Sequence, residues 1–172
     1  MEKWDVYDRH RQVTGNQMIR GNEFEDGAYH LVVHVCLFNE KGEMLIQQRQ
    51  SDRDNWPELW DISVGGSALA GETSQEAAGR EVEEELGLTL DLRSERPSLT
   101  INFENGFDDY YLLNTEADID DLPLPTEEVQ QAVWATEETI IEWINRGVFI
   151  PYRESIIRLL FDMRNGFGTH EQ

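Results

Sequence analysis

Apolar residues gather in short runs separated by turn-forming residues, and the runs alternate between strand and helix character. Tyr29–Phe38 (YHLVVHVCLF) is a β-rich run, Asn39-Glu40-Lys41-Gly42 reads as a turn, and Met44–Arg49 returns as a partner strand. Together these predict a hairpin. Asp61–Val64 reads as a short strand. Leu88–Leu92 and Ser98–Phe103 follow as strands, Asn105-Gly106 turns the chain, and Phe107–Asn114 returns. Residues 116–128 form an acidic, proline-containing loop, and Val129–Ala135 alternates as a strand. Thr136 opens a helix through Asn145, with Glu137 and Glu138 in its first turn and Arg146-Gly147 at its close. Pro151 starts a last amphipathic helix with Ile156, Ile157, Leu159, Leu160 and Phe161 as its buried side. Residues 1–28 are a polar lead-in of one short strand, turns and an extended loop. The tail, residues 166–172, is expected to fray. The mixture predicts an α+β or α/β/α layered domain spanning residues 1–172.

Between the short strand and the next β-run lies the most patterned stretch, Gly66–Leu88. Ser74–Leu86 is rich in Glu, Ala, Arg and Leu and contains no proline, which favours a helix. Thr73 is its expected N-cap, Glu76 the capping-box partner and Gly87 the stop. At 100° per residue, Glu81, Glu84 and Glu85 fall at about 0°, 300° and 40°, one acidic face. Ala77, at about 320° on that face, is small enough to let a ligand approach. Ala78, Val82 and Leu86 form an apolar stripe beside the acids. Three crowded carboxylates repel one another. A hard divalent cation such as Mg²⁺ or Mn²⁺ removes the conflict, because it takes oxygen ligands and commonly holds substrate phosphates as well.

Composition narrows the classes. The chain has 172 residues and a formal net charge of −21, with 14 Lys+Arg against 35 Asp+Glu. That balance opposes binding to a nucleic-acid backbone or to an anionic membrane surface. Aromatic content of 10% marks a globular chain. The one cysteine, Cys36, lies in the apolar strand run, where a buried thiol is the expected role. No disulfide can form within the chain, and the charged N-terminus carries no apolar signal core. The expected location is therefore the cytoplasm.

The order Gly66, five residues, Glu72, seven residues, Arg80-Glu81-Val82-x-Glu84-Glu85-x-Gly87-Leu88 resembles the signature of the Nudix (MutT-like) hydrolases at every fixed position. The resemblance implies a mixed β-sheet sandwiched between α-helices. It implies divalent-metal-dependent cleavage of a diphosphate linked to another moiety, X, in a nucleoside di- or triphosphate or a related nucleotide derivative. Glu81 and Glu85 match the usual metal ligands, Glu84 also lies at the metal site, and the carbonyl at or beside Gly66 completes the shell. Glu72 and Arg80 match a structural ion pair. Nudix enzymes often take a further carboxylate from a later loop. Glu128 and Glu127 are the candidates here, with Asp108 and Asp109 behind them. Dimerisation is common in the family, so a homodimer is compatible with the resemblance.

Residues 29–88 further resemble the subgroup related to isopentenyl diphosphate isomerase. Gly65 stands where those isomerases carry a catalytic cysteine, and Ser67 where they carry a metal-binding histidine; His30 matches another of their metal-binding histidines. Arg20, His30, Trp56 and Trp60 are substrate-binding candidates. The alternatives are a surface position for Arg20, a structural strand residue for His30, and packing beneath a loop for the two tryptophans. An isomerase of prenyl diphosphates and a non-catalytic ligand sensor stand as the competing functions.

Overall fold

A computed structural model describes residues 1–170. The elements run β1 (Lys3–Tyr7), β2 (Val13–Ile19), β3 (His30–Phe38), β4 (Met44–Arg49), β5 (Trp60–Asp61), β6 (Val64–Ser67), α1 (Ser74–Leu86), β7 (Leu99–Phe103), β8 (Gly106–Asn114), β9 (Val129–Ala135), α2 (Glu137–Asn145) and α3 (Glu154–Asp162). β3 is the centre. Its alternating side chains serve two cores, which is why its sequence is apolar almost throughout. Val33, Val35 and Leu37 face α1 through Ala77, Ala78, Val82 and Leu86. Cys36 and Phe38 face α2 and α3 through Ile140, Ile157, Leu160 and Phe161. The result is an α+β sandwich of helix, mixed sheet and helices.

The sheet order is β5-β4-β3-β8-β7, with β6 pairing β3 and β9 pairing β4. β3 and β8 run parallel, from His30 opposite Gly106 to Phe38 opposite Asn114. The expected hairpin of β3 and β4 forms only at its turn, where Phe38 pairs Met44. Beyond that point the strands part and the segment Trp60–Ser67 fills the split. β5 joins β4, β6 joins β3 antiparallel, and the intervening Ser63 bridges the two. Its hydroxyl accepts from the Leu37 N–H at 2.8 Å and donates to the Leu45 carbonyl. The single expected strand Asp61–Val64 is therefore two short strands around a bend, because each half serves a different neighbour.

Other differences have local causes. The lead-in holds a second strand, β2, paired antiparallel with β1; its side chains are mostly exposed, so it carries no alternation signal. Leu88–Leu92 is not a strand. Leu92 is buried, and Leu88 and Leu90 pack on the core, so the leucines serve burial without a ladder partner. α3 starts at Glu154 rather than Pro151, and its buried side is Ile157, Leu160 and Phe161. Leu159 is exposed, because a helix turns it off the i, i+3, i+4 stripe. Residues 166–170 are exposed, and the rest of the expected frayed tail lies outside the described residues. No described helix is long and apolar enough to cross a membrane.

Candidate active site

α1 begins and ends where its sequence dictates. The Thr73 hydroxyl accepts from the Glu76 N–H, Glu76 reaches back to the Thr73 N–H at 2.8 Å, and Gly87 closes the helix in the left-handed region at φ 67°. With both ends fixed, the rotational phase of the glutamates is fixed. Glu81 and Glu85 are buried, at 7% and 1% exposure, while Glu84 has a half-exposed side chain. The expected single face of three carboxylates is thus split into two inward groups and one at the rim. Ala77 is fully buried in the core between α1 and β3, so it offers no ligand surface.

Arg80 gathers the box. Its Nε and Nη2 donate to the two Glu72 oxygens at 2.7 and 2.9 Å, and Nη1 donates to Glu81 at 2.9 Å and Glu84 at 3.0 Å. Nη2 also donates to the Ser67 carbonyl at 3.1 Å. Such a planar fork fixes loop, helix and β6 together.

Burial pushes the Glu81 carboxyl up to about 7 against the attraction of Arg80. Glu85 is pushed well up by burial and by the charges of Glu81, Asp61 and Glu128, with Arg49 alone opposing. Its side chain accepts from Gln47 Nε2 at 3.2 Å, and Gln47 Oε1 is a buried acceptor without a partner among the described residues. Glu128 is half-buried, 2.6 Å from Arg53, and its charge acts on both Glu81 and Glu85. Glu127 is exposed.

A cavity of about 590 Å³ opens beside this cluster, with Gly65, Gly66 and Ser67 in its floor. Trp56 stands at its rim, 49% exposed, and Tyr110 and Ile156 line its walls. Four further lining residues, His34, Arg49, Asp61 and Tyr152, were not singled out from sequence. The one signal for any of them is the charged Arg49 at the end of β4, whose first three residues are apolar. His34 stacks on Tyr110 at 4.5 Å and meets Asp108 at 3.2 Å. Asp61 accepts from the Tyr152 hydroxyl at 2.8 Å.

The remaining candidates separate. His30 is enclosed by Trp4 at 4.4 Å and Phe24 at 5.0 Å, and burial pushes it down to about 4. Trp60 packs on Trp143 at 5.0 Å inside the α2–α3 core. Neither lines the cavity. Arg20 lines a second, smaller cavity. Asp109 is fully buried and holds Arg11, Thr100 and Ser74, so it is a strut between the N-terminal hairpin, β7 and α1.

Compared with known proteins, residues 28–156 match the NUDIX domain. The chain belongs to the Nudix family. It is 46% identical over 170 residues to an uncharacterized Nudix hydrolase of Listeria monocytogenes, covering 99% of both chains. It is 28% identical over 133 residues to an isopentenyl-diphosphate Delta-isomerase of Corynebacterium diphtheriae, covering 72% of this chain and 73% of the other. The crystal structure of DR0079 from Deinococcus radiodurans superimposes with a TM-score of 0.74 at 26% identity, covering 92% of this chain and 97% of that one.

Within the Nudix box, Gly66 matters by contact rather than by backbone angle. A Cβ there would overlap the Glu81 carboxylate. Gly66→Ala is expected to displace Glu81 and lower kcat/KM about 10²-fold, with the melting temperature changed by only a few degrees. Steady-state kinetics beside a thermal melt checks this; an unchanged kcat/KM sinks it.

The raised carboxyls also set a pH dependence. A carboxyl whose folded pKa exceeds its ordinary value binds its proton more tightly in the folded chain. Its contribution is favourable below the ordinary value of 4.5 and is lost as pH rises toward about 7 for Glu81. A divalent cation of the kind Nudix enzymes use would restore it by neutralising these glutamates. The rise in melting temperature on adding Mg²⁺ to chelator-treated protein is therefore expected to grow from pH 5 to pH 8. An increment independent of pH contradicts this.

Proposed function

We propose that the protein hydrolyses a diphosphate linkage in a nucleoside di- or triphosphate, or a related nucleotide derivative, with Mg²⁺ or Mn²⁺ as cofactor. The carrying observation is the pair of buried carboxylates, Glu81 and Glu85, with Glu81 packed against Gly66 of the cavity floor and Arg80, among the described residues, the one cation bonded to either. Buried carboxylates without full compensation are costly and persist where a function needs them.

The donor set suits a hard cation. All groups are oxygens, and the unpartnered Gln47 Oε1 is an oxygen acceptor beside Glu85. Among the described residues no three acidic, histidine or cysteine side chains close into a cage. That agrees with a cation that binds one or two carboxylates and completes its shell with water and substrate phosphate. Glu81 and Glu85 would hold it, with Glu84, Glu128 and the Gly66 carbonyl as the outer donors. The ion supplies charge neutralisation at the phosphoryl oxygens and lowers the pKa of water.

Glu128 is the proposed base: one Oε takes a proton as water oxygen bonds to phosphorus and the anhydride P–O bond breaks to the leaving phosphate. Arg80 keeps Glu81 and Glu84 oriented, and Gln47 keeps Glu85 in place. Trp56 and Tyr110 offer ring faces for X. Residues 1–28 work as part of the same unit, since Arg11 of the lead-in is bonded to Asp109.

The isomerase reading meets two obstacles. A Cβ on Gly65 would stand 2.9 Å from His34 Nδ1, so the ring fills the place of a side chain there. Cys36 is fully buried and its thiol is pushed up by burial, so it supplies no thiolate.

The deciding experiment is phosphate release from nucleotides, nucleotide sugars, dinucleoside polyphosphates and prenyl diphosphates, with Mg²⁺ and Mn²⁺, beside Glu84→Gln and Glu85→Gln. Metal-dependent release from nucleotides that vanishes in the variants is expected. Release from no member of the panel overturns the reading.

A further inference from the structure

Two cavities of different chemistry lie side by side next to the Nudix box. The larger carries rings and branched aliphatics, among them Trp56, Tyr110, Ile101 and Ile150. The smaller, about 390 Å³, is lined by Arg20, Arg49 and Arg53, with Glu2, Asp52 and Asp54 also in its walls. Arg49 and Asn55 line both. Arg49 is the partition: its Nε and Nη2 donate to the Asn55 carbonyl at 3.2 and 3.0 Å, and its Nη1 lies 3.6 Å from Asp61. Two of the site's carboxylates reach lining residues of these cavities. Glu81 lies against Gly66 of the larger cavity, and Glu128 is held by Arg53 of the smaller.

We propose that the smaller cavity is a second arm of the substrate cleft, and that it takes a phosphate-bearing group on the side of the scissile diphosphate away from X. The inference rests on the diphosphate-hydrolase reading and adds the chemistry of the far end.

The distribution of cations supports it. The chain has 14 Lys+Arg against 35 Asp+Glu, yet three arginines converge on this one cavity. A guanidinium fork matches phosphate oxygens in two-point geometry. The present partners leave donors free. Arg20 contacts Glu2 through one nitrogen at 2.8 Å, both side chains nearly half exposed, and such pairs are weak and screened. Arg53 contacts Glu128, the carboxylate assigned to the attacking water, so an incoming phosphate can exchange with Glu128 at Arg53 as Glu128 turns to its task. Glu2, Asp52 and Asp54 offset the arginine charge, so an anion is held by the geometry of the forks rather than by a bulk positive field. The N-terminal segment, source of Glu2 and Arg20, thereby becomes a specificity element.

The test has a binding half and a turnover half. Methylenediphosphonate, which carries phosphonates and cannot be hydrolysed, is titrated calorimetrically in Mg²⁺ into the full chain and into Arg20→Gln, Arg53→Gln and Trp56→Ala. Binding about tenfold weaker in each arginine variant, and within about twofold of wild type in Trp56→Ala, is expected. In turnover, Arg20→Gln should raise KM about tenfold for a nucleoside triphosphate and leave it unchanged for a nucleotide sugar whose far end is neutral. Equal binding by all proteins, no binding by any, or equal KM effects on both substrates overturns the arm. Arginine-dependent binding without turnover of any nucleotide keeps the arm and overturns the hydrolase reading instead.

Discussion

Glu85→Gln is expected to lower kcat about 10³-fold while leaving the protein folded. The side chain is 1% exposed and accepts one hydrogen bond from a side chain, that of Gln47. Its carboxyl is pushed well up by burial first, then by the charges of Glu81, Asp61 and Glu128. Such a group is poorly solvated in the metal-free protein and, on the proposed reading, would become favourable when a cation and a phosphate complete its surroundings. The amide has the same shape without the charge. Two effects with opposite signs follow: activity collapses, and in chelator at pH 8 the melting temperature rises by a few degrees. Added Mg²⁺ should then stabilise wild type more than the variant. Kinetics and melting curves in Mg²⁺ and in chelator check the pair of effects. A variant that loses activity in Mg²⁺ and also loses stability in chelator would make Glu85 a structural strut.

Asp109→Ala is expected to cost about 3 kcal/mol of stability, near the lower end for removing one partner of a buried ion pair because Arg11 is one-third exposed. Asp109 itself has no exposure. It takes Arg11 Nη1 at 2.9 Å and a second contact from Nη2, and hydroxyl donors from Ser74 and Thr100 at 2.6 Å. Removing it orphans those donors at the point where the N-terminal hairpin, β7 and the first turn of α1 meet. For a chain of this size the expected drop is about 6–12 °C in melting temperature. The second readout is local: hydrogen exchange of β1 and β2 should accelerate more than that of β3. A loss spread evenly over the sheet would instead mean that Asp109 serves the core and not the hairpin.

The chain by itself determined the pieces whose signals are local. α1 runs from Ser74 to Leu86 because Thr73, Glu76 and Gly87 act within one turn of their own positions. The long strands β3, β8 and β9 were legible because side chains that pack on a sheet must recur along a few residues. The spacing from Gly66 to Leu88 likewise located the box, since a helix turns spacing into a face. Tertiary structure decided what depends on a neighbour distant in sequence. β3 and β4 part because Ser63 satisfies the Leu37 N–H and the Leu45 carbonyl from a third segment, and no local pattern announces that wedge. Glu81 and Glu85 differ from Glu84 in burial because one side of α1 is covered by the sheet, where helical phase alone had grouped the three. Trp56 and Trp60 share a residue type and lie four residues apart, yet Trp60 enters β5 and packs against Trp143 while Trp56 stays at the cavity. Arg20 and Arg53 stand far apart in sequence, and only the closure of the N-terminal hairpin over the sheet brings them to one cavity.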